Sequence, residues 1–172
     1  MVDTLSATLR TIIKSTYTQG LDLVNTPDGL SLTRTQILTT GTGLDQGNVQ
    51  WHDQRVISAS SSDTIDLADA SNAIKDAFGN SLNLDTIKFI FIRNVTPEAS
   101  PAEIQIDPTV SNGWTTAIAG ITKIPTTGWF CMLAPNAAGF NVTAGTNDQL
   151  KITNNDGSNA ATYEIVIIGN KV

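Results

Sequence analysis

LDTIKFIFIRNV, residues 84–95, decides the fold. Ile87, Phe89 and Phe91 alternate with Lys88, Ile90 and Ile92, which is the two-residue period of an extended strand. Because apolar side chains dominate both sets, the run predicts a central strand covered on both faces. Downstream, TGWFCML (residues 127–133) predicts a buried strand, and residues 139–143, 149–153 and 160–168 predict three more. The loops between these last three, AGTND (144–148) and NNDGSN (154–159), have hairpin composition. Pro97, Pro101 and Pro108 bracket Glu103 to Asp107, so that short run is expected at a sheet edge.

Upstream, Ile65 and Leu67 alternate with Asp66, and Val49, Trp51 and Asp53 share one face of a run that continues through Ile57. Ser31 to Thr40 offers Leu32, Ile37 and Leu38 before Gly41-Thr42-Gly43. Between Ala68 and Phe78 the pattern loosens to Ala73, Ile74, Ala77 and Phe78 before Gly79, the signature of a single helical turn with a glycine stop. Eight or nine strands without a substantial helix predict an all-β protein, a two-sheet antiparallel sandwich for which the jelly roll has the right strand number and size. A fibronectin-like or immunoglobulin-like sandwich is the alternative, without the Cys-Trp-Cys pattern of a true immunoglobulin domain.

Residues 1–30 read as an N-terminal arm and residues 31–172 as the β-sandwich domain. Leu5, Leu9, Ile12, Ile13 and Tyr17 recur at helical spacing, but the many threonines among them fit an extended strand nearly as well. Gly20 ends the pattern, and Asn25-Thr26-Pro27-Asp28-Gly29 predicts a turn. Those five apolar residues are the candidate partner-binding set, burying their stripe on another subunit, on a partner, or on the chain's own sandwich.

Composition narrows the function. Charged residues make up 15% of the 172, while Thr, Ser and Asn together make 50, so uncharged groups must supply the polar surface. A net charge of −6 has the wrong sign for gripping phosphates, which sets nucleic acid aside. The apolar runs are too short to span a membrane, and Met1-Val2-Asp3-Thr4 does not begin like a signal peptide. Cys131, the one cysteine, cannot close an intrachain disulfide, which fits folding in a reducing cytoplasm.

No constellation for catalysis stands out. His52, the one histidine, lies between Trp51 and Asp53 in a strand, so Asp53 projects to the opposite face and cannot orient it. Zinc lacks soft ligands, and calcium would have to use Asp63, Asp66 and Asp69, or Asn154, Asn155, Asp156 and Ser158, neither with a full loop signature. Gly41, Gly43 and Gly47 lack the lysine and helix of a phosphate loop. Trp51 and Trp129 are expected in the core and Trp114 in an exposed loop. No catalytic, cofactor-binding or metal residue is therefore assigned, and the chain is expected not to be an enzyme.

Several stretches resemble the small β-sandwich virion proteins of tailed bacteriophages. They are GTGLDQGNVQWHDQRVIS (41–58), DTIDLADASNAIKDAFGN (63–80), LDTIKFIFIRNV (84–95) and residues 127–169, where APNAAGFNVTAGTNDQLKITN and TYEIVIIG are the most specific. The resemblance implies a non-enzymatic jelly-roll virion protein, made in the host cytoplasm, that decorates or cements the capsid. It implies binding to the major capsid protein as a homo-oligomer, typically a trimer, with no cofactor. Competing readings are a host-recognition module on a head fibre or tail, using loop aromatics such as Trp114 on envelope glycans, and a virion glycan hydrolase.

Overall fold

The computed structural model describes residues 4–20, 24–68 and 74–171. It is all-β. The strands among these residues are β1 (Ser6–Gly20), β2 (Asn25–Thr40), β3 (Gln46–Gly47), β4 (Val49–Ile57), β5 (Ser61–Asp66), β6 (Leu84–Asn94), β7 (Ile104–Ile106), β8 (Thr122–Ile124), β9 (Trp129–Leu133), β10 (Phe140–Asn141), β11 (Gln149–Asn154) and β12 (Ala161–Lys171).

Two sheets face each other across one core. The first has the order β10-β6-β12-β4, with β9 continuing the β10 edge along β6, and the second has the order β5-β11-β7-β8. Leaving β10 aside, the pairs β4 with β12, β5 with β11, β6 with β9, and β7 with β8 are all antiparallel. The chain is thus an eight-strand ribbon doubled back on itself and rolled into two layers. Ile90, Ile92, Ile165 and Ile167 of the first sheet meet Ile104, Ile106, Leu150 and Ile152 of the second, all almost fully buried. Fully burying each such side chain stabilises the fold by about 1.5–3 kcal/mol.

The deciding strand departs from simple alternation at one residue. Opposite β12, Ile168 pairs with Phe89 but Gly169 pairs with Ile87, so Lys88 is the extra residue of a β-bulge. The bulge resets the pleat and turns Ile87 inward with Ile90 and Ile92, instead of outward with Phe89 and Phe91. Phe89 and Phe91 are left half-exposed on the outer face, which corrects the expectation of a doubly covered strand. Lys88 is buried. Its ammonium donates to the carbonyls of Asn136 and, at 2.7 Å, Ala137, in the loop where the edge breaks between β9 and β10. Burial lowers its pKa.

Other expectations change with the topology. The bracketed run at Glu103 to Asp107 lies inside its sheet, because β8 covers the side that the prolines suggested was open. TGWFCML forms an edge strand with alternating exposure rather than a buried one. The loops at 144–148 and 154–159 are not simple hairpins, since β10 and β12 lie in one sheet and β11 in the other. Over residues 74–80 there is no helical turn; Lys75 bridges to Ser81, and the Asp76 carboxylate accepts the Phe78 and Asn80 N–H groups at 2.9 Å. Ala73, part of that expected turn, lies outside the described residues. Gly79 does adopt a positive φ of 84°.

The connection after β7 carries a pH-sensitive tie between strands. Thr109 donates to Asp107, and Lys151 of β11 reaches the same carboxylate at 3.0 Å, which together lower the Asp107 pKa from 3.8 to about 2. The unfolded chain therefore binds the proton more readily, and the tie stabilises the fold above pH 4 and is lost as pH falls toward 2. With solvent screening taken into account, it contributes about 1–2 kcal/mol. Urea midpoints at pH 6 and pH 2.5 should fall further apart in the wild type than in Asp107→Asn; equal pH dependence would refute this.

Candidate functional site

The feature that stands apart from the sandwich is the β1–β2 hairpin. Fifteen consecutive cross-strand pairs run from Ser6 with Thr39 to Gly20 with Asn25, a ribbon about 50 Å long at the usual strand rise. The segment is strand and not helix, because β2 supplies the backbone partners that a threonine-rich strand needs. The predicted turn at Asn25 to Gly29 is part of β2, with Pro27 opposite Thr18, and the expected arm boundary at residue 30 falls mid-strand. Residues 21–23 lie outside the described residues.

The base of the hairpin is fixed to the sandwich. Thr39 N–H donates to the Asp45 carbonyl at 3.0 Å, and Asp45 N–H donates to the Pro135 carbonyl at 2.8 Å. Gly41 N–H donates to Gly47, and β3 pairs in parallel with the end of β2. A Cβ on Gly47 would lie 3.1 Å from Leu5 Cδ2 and 3.3 Å from Ile168 Cγ2, so the base packs directly on the sandwich. Leu38 is completely buried there.

Beyond the base both faces are open. Strand pairing puts Leu5, Leu9, Ile13 and Tyr17 on one face with Leu30, Leu32 and Leu38 of β2, while Ile12 lies on the opposite face with Ile37 and several threonines. Leu5 and Leu9 are half-buried; Ile12 and Ile13 are about half exposed, and Tyr17 is 70% exposed. The five residues singled out from helical spacing therefore divide four to one. The β2 leucines that complete the apolar face went unrecognised, although a period-two reading of residues 30–38 carries that signal.

The polar centres of the sandwich are occupied structurally. Asp63 of β5 accepts Arg55 Nε at 2.6 Å and Arg55 Nη2 at 3.1 Å, and it accepts the Tyr163 hydroxyl at 2.7 Å. Arg55 of β4 and Tyr163 of β12 belong to the opposite sheet, so this network clips the two layers together. Burial and the bond to Asp63 push the Tyr163 phenol up, which keeps it a protonated donor. Asp66 accepts Gln149 at 2.7 Å. Asn154 donates to the carbonyls of Ile57, Ser58 and Asn159, and Asp156 accepts the N–H groups of Ser158 and Asn159. The oxygens considered for calcium thus hold turns and strands together, and Asp69 lies outside the described residues. His52 is exposed on the outer face opposite Val166.

The tryptophans correct the expectation for two positions of three. Trp51 is buried as expected. Trp114 is buried instead of lying in an exposed loop, with its indole N–H donating to the Asn141 carbonyl at 3.0 Å and Phe140 edge-on to its ring. Trp129 is 62% exposed on the edge strand, its ring centroid 6.1 Å from that of Phe91, and not in the core. Exposed Cys131 adjoins Phe91 on the same outer face.

No protein-family model and no curated protein matches the chain.

Proposed function

We propose that the chain is a structural protein of a tailed-phage virion, a capsid decoration or cement protein that binds the major capsid protein as a homo-oligomer, a trimer, and works by adhesion between protein surfaces. The observation that carries this reading is the hairpin: an arm rooted in a rigid sandwich, with Ile13, Tyr17 and Leu30 held out in water. Covering such side chains on a partner yields about 1.5–3 kcal/mol each before ordering costs, and many copies on a shell multiply the effect. The pairing of first strand with last, second with next-to-last, and so inward supports the jelly-roll form of the sandwich.

Electron cryo-microscopy of purified particles tests the assignment. Hundreds of copies spread over the head support it, and absence from the particle defeats it. In a pelleting assay with undecorated shells, full-length protein carrying Ile13→Asp and Tyr17→Asp is expected to bind at least tenfold more weakly than wild type; equal binding would remove the hairpin from the contact.

The exposed ring of Trp129 favours one second reading, a host-recognition module that stacks aromatics on envelope glycans. Buried Trp114 drops out of that role. Binding on a glycan array that is lost in Trp129→Ala would establish it.

A further inference from the structure

The outer half of the hairpin's apolar face has a charge pattern that matches itself. Along β2 this face presents Asp28, Leu30, Leu32 and Arg34 in that order, flanked on β1 by Tyr17 opposite Asp28 and Ile13 opposite Leu32. The acid and the base lie at equal distances on either side of the leucine pair. Among the described residues neither forms an ion pair within its own chain; Arg34 donates to the carbonyl of its neighbour Thr33 at 3.0 Å. A two-stranded ribbon is marginally stable in water by itself, so this face calls for a covering layer.

We propose that the covering layer is the same face of a second copy, packed antiparallel about a two-fold axis that passes level with the Lys14–Ser31 pair. The axis lays β2 on β2. Leu30 then meets Leu32 of the second copy, and Asp28 meets its Arg34, each contact occurring twice, as an isologous interface requires. Faces of packed sheets lie about 10 Å apart, a gap that an Asp and an Arg side chain span together. A parallel arrangement, by contrast, would set Arg34 against Thr11 and Asp28 against Tyr17, leaving both charges without a counterion. The opposite face carries Arg10 and Lys14 among threonines and serines, so its like charges disfavour pairing there.

The patch is far smaller than the roughly 1,200 Å² of a stable complex, so the association is weak and concentration-dependent, gaining strength where copies are held close together. It goes beyond the virion reading, since it concerns the purified chain alone.

Sedimentation equilibrium of the full chain over a wide concentration range tests it. Wild type is expected to self-associate, and Arg34→Asp or Asp28→Arg alone to weaken association at least tenfold by placing like charges together twice. The double variant R34D/D28R restores complementarity and is expected to recover wild-type association to within about threefold, with all four proteins sharing one far-ultraviolet spectrum. Added salt should weaken wild type and the double variant alike. The proposal is overturned if the single variants associate as wild type does, if the double variant stays as weak as the singles, or if wild type is monomeric throughout. Self-association that follows the charge swap in a protein that binds no shells would sink the virion reading and leave this one intact, and the converse result would do the reverse.

Discussion

Lys88→Met is expected to lower the stability of the sandwich by about 2–4 kcal/mol, seen as a clear drop in the urea midpoint. Methionine fills much of the same space, so the loss isolates the ammonium. In the native protein that group donates to two carbonyls of the 134–139 loop, and Ala134 N–H donates back to the Lys88 carbonyl at 2.8 Å. Removing the donor leaves the Asn136 and Ala137 carbonyls at a partly buried site without their partner, at about 1–3 kcal/mol each before water compensates. An unchanged midpoint would mean that the loop carbonyls hydrate freely and that the bulge holds itself.

The second large effect is expected at Gly169. A Cβ there would lie 2.1 Å from the Thr86 carbonyl oxygen and 3.2 Å from Ile87 Cα, both backbone atoms of the paired strand. Neither can move without breaking the ladder between β6 and β12 beside the bulge. Gly169→Ala should therefore cost about 3 kcal/mol or more, or prevent folding. Gly29→Ala, on the open hairpin with no atom within 4 Å of its would-be Cβ, is the matched control and should leave the midpoint in place. If both alanine variants melt together, the close approach of the strands at Gly169 is not what sets the cost.

How far the sequence could be read depended on whether a pattern is local. Period-two alternation is local, so the strands around Trp51, Ile65, Ile90, Ile152 and Ile165 were legible. The face assignment of Ile87 was not, because a one-residue bulge leaves no mark in composition; it is visible only in the pairing of Gly169 with Ile87. Prolines around β7 gave the wrong answer because they report on their own missing N–H groups, whereas the position of β7 is set by β8, which pairs with it from beyond residue 120. The tryptophans failed for a related reason. Trp114 sits in a loop by local signals, yet that loop lies over the core, and Trp129 belongs to an apolar run that happens to form an edge. At the hairpin, Ile13 and Tyr17 were legible as an apolar stripe, but helical and extended spacing overlap there, and only the partners in β2 decide between them.

The position of β12 bears on how the protein is made. This strand lies between β6 and β4, pairing Ile165 with both Ile92 and Asp53, so the middle of the first sheet is empty until residues 161–171 arrive. A nascent chain still lacking them holds two strands that cannot reach each other and an apolar core with one wall missing. Closure of the body thus waits on synthesis of this last stretch, and a ribosome stalled before residue 161 would carry a sticky, unfinished half-barrel open to chaperones and to its neighbours on the same message.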